Sequence, residues 1–447
     1  MGGESDVYSL TFDYAAGSFD VVATTSFLDH DVPLLIAFVS PFAGPIRADQ
    51  RYETETLAQE IRLVSTGEGP FNWLVGGYYS DTDQTHRQDQ RFQNPFIQSF
   101  VGVDAVSDVN SEVLAVFGEI SYELFDGKLV PLFGLRYFED DRDLVSNSIR
   151  ASGIGPTSLP FGTCNPAVLA LFGLTCEVAL PEFVFDDTFD SFNPRFNLSY
   201  FPNETSMYYV NVAKGFRSGT IQPLAAVQAA AFIGVNTTQA LDDDSVISYE
   251  IGAKWELLDR RLAIELALYR AKYEDAQVLF GTPVGVPASA SAGDYEADGV
   301  EFSLRFSPVP GLTLAAVFSG VSSEWTSVDP EVALAVAGIG DGDDVPYIPE
   351  NDWNLSIDYT GALGDTGLTH FEHISYARRQ DQFDYSLNQS DDVDDLNVRI
   401  GVAGSRWQVS LYANNVTGER NMALSLGSTV YSQRPREIGI NFQFELD

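Results

Sequence analysis

Arg217 closes the stretch YYVNVAKGFRSG, Tyr208 to Gly219, on the same strand parity as Asn211 and Gly215. A guanidinium presents a planar fork of donors that grips carboxylate, phosphate or catecholate-type oxygens. The plainer reading pairs it with a neighbouring carboxylate. Tyr269, Tyr273, Phe280, Tyr376, Phe383 and Tyr385 fall near the ends of apolar segments. Their rings can stack on a ligand or form the aromatic girdle of a membrane interface. Tyr269, Tyr273 and Tyr376 join Arg217 as ligand-binding candidates. His30 lies between Asp29 and Asp31, a composition capable of acid–base chemistry, although a solvated loop entrance is the plainer reading. His370 and His373 sit three apart, so on a strand they face opposite sides and cannot share a metal.

Acidic runs recur at Glu139–Asp143, Asp242–Asp244, Asp341–Asp344 and Asp391–Asp395. They offer the oxygens calcium takes but lack its spaced loop pattern, so a solvated acidic rim is expected. Such a rim attracts cations weakly, in a salt-dependent way. Cys164 and Cys176 read as a disulfide closing a short loop, which points to an oxidising compartment. No catalytic residue, metal site or cofactor site emerges.

Whatever holds these residues is built from strands. In Ser248–Leu257, Tyr249, Ile251, Ala253, Trp255 and Leu257 share one face, opposite Ser248, Glu250, Gly252, Lys254 and Glu256. Val300, Phe302, Leu304 and Phe306 alternate in the same way with Gly299, Glu301, Ser303 and Arg305. A helix would scatter these apolar residues, whereas a strand collects them on one face. About seventeen such segments recur, beginning near residues 6, 18, 54, 71, 110, 129, 187, 206, 245, 261, 294, 311, 348, 368, 393, 406 and 433. Short turns alternate with long connections, expected at roughly 31–53, 85–109, 147–186, 217–244, 278–293, 327–347, 385–392 and 415–432.

That order predicts an all-β, antiparallel transmembrane barrel over residues 1–447, because lipid leaves the backbone no partner except a neighbouring strand. No stretch has the apolar length of a membrane helix. A propeller should repeat every 40–50 residues or so, and no such repeat is found. The net charge of −39, with only 25 Lys plus Arg, argues against a nucleic-acid partner.

The chain resembles the TonB-dependent outer-membrane receptors. The resemblance rests on Tyr208–Gly219, on SYEIGAKWELLDRRLAIELALYRAKYEDAQV (Ser248–Val278), on Tyr295–Leu314 and on ANNVTGERN (Ala413–Asn421). The closing stretch EIGINFQF, Glu437–Phe444, is similar to the family's assembly signal, with Gly439, Phe442 and Phe444 in the matching places. It implies a receptor in the bacterial outer membrane that takes up a scarce nutrient, most often a ferric siderophore. The implied partners are outer-membrane lipid, the barrel assembly machinery and the TonB–ExbB–ExbD energising complex. A cobalamin or oligosaccharide receptor and a passive porin-like channel are the alternatives. Outer-membrane transporters of this kind have 22 strands and a plugged lumen. On that count this chain is expected to be an N-terminally truncated barrel, with the plug, the TonB-contacting segment and the first strands upstream of Met1.

Overall fold

The computed structural model describes residues 3–445 except 41–43, 68, 95–98, 153–182, 283–287, 337–338, 386 and 427–428. Seventeen strands form one sheet in chain order, every neighbouring pair antiparallel, from Glu4–Ala15 to Glu437–Phe444. All seventeen expected segments are present. No helix among the described residues is long and apolar enough to cross a membrane, which says nothing against crossing by strands.

Two connections differ from expectation. Residues 31–53 and 85–109 belong largely to strand hairpins: Phe19–Ser40 pairs with Gly44–Ser65, and Phe71–Asn94 with Ser99–Tyr122. At 22 to 24 residues these strands have roughly twice the length that crossing a bilayer requires. Towards the far ends of these strands apolar and polar residues no longer alternate, as the run Val32–Val39 shows, and the period-2 signal is lost.

Trp325 and Tyr295 pack into the core formed by the long loops, which identifies the inner face of the sheet. The cross-strand registers carry that face around. Outward stand Tyr8, Leu10, Phe12 and Tyr14 at one margin, and Ile438, Ile440, Phe442 and Phe444 at the other. Trp73, Tyr200, Tyr208 and Trp255 form an outward ring near the short turns, and Tyr79, Tyr137, Trp353 and Tyr376 a second ring higher up. These are interfacial girdles.

Above the upper girdle, outward carboxylates oppose one another across strands. Asp29 faces Glu55, which faces Asp83; Asp81 faces Glu112, which faces Asp141; Asp143 faces Asp186 and Glu139 faces Asp190. Like charges so placed repel. Asn110 Nδ2 bridges Asp81 and Asp83 at 3.1 and 3.0 Å, and Thr188 Oγ1 donates to Asp141 at 2.6 Å. Of the acidic runs expected at the rim, Glu139–Asp143 lies on a strand, whereas Asp341–Asp344 lies in a connection.

On the inner face, aromatic rings lie across glycines of the next strand. Tyr209 stands opposite Gly252, Tyr269 opposite Gly299, Phe371 opposite Gly401 and Tyr412 opposite Gly439. A Cβ built on Gly299 would sit 2.1 Å from Tyr269 Cζ, and one on Gly439 2.4 Å from the Tyr412 hydroxyl. The ring covers the bare backbone of the glycine, and the glycine gives the ring room.

Candidate functional site

The candidate site lies where the strands meet the long loops. The motif Phe216–Gly219 works residue by residue. Arg217 pairs with Asp244 on the adjacent strand, its Nε reaching Oδ1 at 3.3 Å, and its Nη2 donates to the Gln277 carbonyl at 2.8 Å. Asp244 is buried and also accepts from the Gln277 amide at 3.0 Å. Ser218 Oγ donates at 2.7 Å to Asp140, whose carboxylate also accepts from Ser111 Oγ at 2.6 Å and Arg142 Nε at 2.8 Å. Arg142 Nη1 closes the group on the Gly219 carbonyl at 2.7 Å. Gly219 admits this approach because the Phe189 ring occupies the place of a Cβ.

From this anchor the loops fold over the mouth. A helix at Leu224–Phe232, a hairpin of Gln277–Phe280 with Ala288–Ser291, and a short helix at Pro330–Ala335 enclose one hydrophobic core. That core contains Ala226, Ala230, Val278, Phe280, Trp325 and Val332. Buried Gln222 ties two of these loops, donating through Nε2 to Thr238 O at 2.7 Å and Ser289 O at 2.9 Å and accepting from the Ser289 amide at 2.9 Å. Two sequence signals for these elements are the alanine-rich run after Pro223 and Asp329 before Pro330. Asp329 caps its helix by accepting from the Glu331 and Val332 amides.

Beneath this cap a cavity of about 370 Å³ is lined by Arg217, Tyr273, Tyr295, Trp325 and Tyr385, among others. Tyr273 and Tyr295 stack at 4.2 Å, and Tyr295 meets Trp325 edge-on at 5.3 Å. Burial pushes the Tyr385 hydroxyl up to about 12, reinforced by Tyr347 and opposed by Arg217. Burial also raises Tyr347, with the Asp384 charge adding to it. A larger cavity of about 770 Å³ is lined by Tyr269, Ser323, Asn351, Gln380 and Phe383, with Asp344 and Gln389 from the loops. The site can therefore offer hydrogen-bond donors, one guanidinium edge and aromatic faces to a bound molecule.

The sequence candidates separate. Arg217, Tyr269 and Tyr273 face inward near these cavities, whereas Tyr376 faces outward and bonds through its hydroxyl to Asp394. The register of its strand puts Tyr376 in the girdle, on the face opposite to the cavities. His370 faces outward against Glu372 at 2.8 Å and His373 inward against Asp358 at 2.7 Å. Asp31, the neighbour of His30, is held by Arg51 on the outer face, whereas His30 stands on the inner face opposite Thr54. Among the described residues no group of three or more His, Cys, Asp or Glu side chains is placed to hold a metal ion. Cys164 and Cys176 lie outside the described residues. Phe442 and Phe444 face outward opposite Val409 and Trp407, and Gly439 lies inward beneath Tyr412.

Asn415 explains the motif ANNVTGERN. Its buried side chain donates to the Glu419 carbonyl at 2.7 Å and the Arg434 carbonyl at 2.8 Å, and accepts from the Gly418 and Glu419 amides. It fixes the connection that leads to the last strand.

The family model described as TonB dependent receptor-like, beta-barrel matches residues 2–416. A probable TonB-dependent siderophore receptor, PiuA of Acinetobacter baumannii, is 23% identical over 199 residues, covering 40% of this chain and 26% of the relative. Among solved structures, the ferric yersiniabactin uptake receptor FyuA of Yersinia pestis superposes with a TM-score of 0.73 at 16% identity, over 99% of this chain and 61% of that one. The ferric-catecholate import receptor Fiu of E. coli gives 0.66 at 13% identity, over 99% and 64%. The chain thus spans about three-fifths of the length of these solved receptors. With the strand order, the girdles and the match over most of its length, the chain belongs to the TonB-dependent receptor-like β-barrel family.

Proposed function

We propose that this chain is the barrel portion of an outer-membrane receptor for TonB-energised uptake of a ferric siderophore. The observation that carries the reading is the family match over residues 2–416, joined to an inward Arg217 and tyrosines beneath a folded cap. The relatives named above are siderophore receptors, which favours an iron complex over cobalamin or an oligosaccharide. In this reading the cap and upper lumen capture the ligand. Arg217 keeps its Nη1 edge for ligand oxygens while Asp244 holds its other edge. Tyr269 and Tyr273 present ring faces, and a plug rearrangement powered from the inner membrane releases the ligand inward. Outer-membrane lipid meets the girdles, and the barrel assembly machinery reads the closing strand. No catalytic step is assigned. Growth of the producing bacterium on single defined iron sources, with and without the gene, tests the reading. Loss of growth on one ferric siderophore supports it, and loss confined to cobalamin or oligosaccharide use overturns it.

A further inference from the structure

A pocket on the inner wall stands apart from the loop cap. The strands Thr369–Arg379, Val393–Ala403, Trp407–Asn414 and Glu437–Phe444 lie side by side there. Between them is a cavity of about 430 Å³ lined chiefly by His373, Asn397, Arg399, Tyr412, Asn414 and Asn441. None of these residues lines the two cavities near the cap. The volume falls within the range of small-molecule pockets. On the opposite face of the same strands, Ile400, Leu411 and Ile440 form an exposed apolar row. The pocket therefore sits in the lumen at the depth of the hydrocarbon.

Arg399 sets the chemistry. Its Nε donates to Ser410 Oγ at 2.9 Å, and its guanidinium carbon lies 5.7 Å from the centre of the Phe371 ring. Ser410 is fully buried. Together these contacts fix the plane of the guanidinium and leave both Nη groups for the cavity. Two inward carboxylates of the neighbouring strands are engaged elsewhere. His373 Nδ1 meets Asp358 at 2.7 Å, and the Tyr412 hydroxyl donates to Glu437 at 3.0 Å. Among the described residues no carboxylate pairs with Arg399, in a chain with 64 Asp plus Glu and only 25 Lys plus Arg. A guanidinium held in place without a carboxylate is a ready anion site.

The surrounding groups narrow the class of anion. Asn397 spends Oδ1 on the Asn415 amide at 3.0 Å, so its Nδ2 is left as a donor. The side-chain amides of Asn414 and Asn441 have no partner among the described residues and offer both a donor and an acceptor. The bond to Asp358 favours the Nδ1–H tautomer of His373, which leaves Nε2 as an acceptor. Donors and acceptors mixed in this way fit hydroxyl groups, each of which does both. One guanidinium flanked by Asp358 and Glu437 balances a single negative charge and leaves a second one repelled. We propose that this pocket binds a small hydroxylated monocarboxylate of the sugar-acid type. Its carboxylate lies on the Arg399 Nη edge, and its hydroxyls meet Asn397, Asn414, Asn441 and His373. This second site requires only the folded barrel and does not rest on the iron-complex reading.

The test measures equilibrium dialysis of glucuronate against the full chain refolded in lipid, beside glucose, hexanoate and the dicarboxylate glucarate. The expected result is saturable binding of glucuronate and none of glucose. Hexanoate, which lacks the hydroxyls, and glucarate, which carries a second charge, should each bind at least about tenfold more weakly. Arg399→Gln should weaken glucuronate by about tenfold or more, and Arg399→Lys should restore part of the loss. Phenylglyoxal modification of the parent chain, mapped by mass spectrometry, locates the site without any variant having to refold. Glucuronate should protect Arg399 and not Arg217. Absence of saturable binding, hexanoate or glucarate bound as tightly as glucuronate, undiminished binding by a refolded Arg399→Gln chain, or protection of Arg217 in place of Arg399 would each overturn the proposal.

Discussion

Ser218 Oγ donates a 2.7 Å hydrogen bond to Asp140, 78 positions earlier in the chain, and so ties the base of the 218–243 loop to the opposite side of a strand pair. Asp140 is 1% exposed, and its other partners are Ser111 and Arg142. Asp140→Ala leaves the Ser218 and Ser111 hydroxyls and the Nε of the partly buried Arg142 without this acceptor. The expected loss is about 3 kcal/mol. Hydrogen exchange should accelerate at 218–243 while the strands Asn351–Ala362 and Thr369–Arg379 stay protected. Uniform loosening of the barrel would contradict the tether.

Trp325 is 1% exposed within the loop core, and among the described residues its Nε1 has no hydrogen-bond partner. Trp325→Ala is expected to cost about 3–5 kcal/mol through the cavity it opens. Trp325→Phe should cost much less, because it also removes a buried donor that lacks an acceptor. Urea unfolding followed on both variants checks the order.

Tyr269 and Gly299 should behave as one unit. Gly299→Val forces the Tyr269 ring away and destabilises the barrel. Adding Tyr269→Ala should recover part of that loss, with a coupling of about 0.5–3 kcal/mol in a double-mutant cycle. Strictly additive effects would show that ring and glycine do not share the space.

The Tyr385 hydroxyl, raised by burial to about 12, stays neutral well past the usual tyrosine range near 10. Because its folded pKa lies above its unfolded one, its contribution to stability is complete below pH ~10 and is lost as pH rises through about 12. The ultraviolet difference titration between the parent and Tyr385→Phe should show its phenolate appearing near the upper value. A midpoint near 10 would mean an exposed ring.

The opposed carboxylates Asp29/Glu55/Asp83 and Asp81/Glu112/Asp141 predict a barrel that gains stability with salt. Raising sodium chloride from low to moderate concentration screens the repulsion and should raise the melting temperature by a few degrees. Asp83→Asn with Glu112→Gln should blunt that response. An unchanged response would place the repulsion elsewhere.

Strand existence was legible because lipid and lumen impose opposite polarities on alternate residues, as Tyr249 to Leu257 display. Where strands leave the membrane that contrast vanishes, which is why Thr85-His86-Arg87-Gln88 reads as loop although it pairs in full register. The inward parity of Arg217 was also legible. Its pairing with Asp244 was foreseen only as a type of contact, because the partner lies across a loop. Tyr376 and Tyr269 look alike in sequence, and only the register around the whole sheet separates the outward ring from the inward one. The loop core stayed hidden because Ala226, Val278, Trp325 and Val332 come from four separate segments, and nothing in the sequence says that they meet.

Energised capture of an iron complex is the central claim, and uptake of radiolabelled ferric siderophore by the producing bacterium tests it most directly. The account predicts saturable uptake that is lost on deletion of the gene and equally lost when a protonophore collapses the inner-membrane gradient. Uptake that survives deletion, or that depends on the gene but is non-saturable and indifferent to the protonophore, would contradict it; the latter result would make the barrel a passive channel.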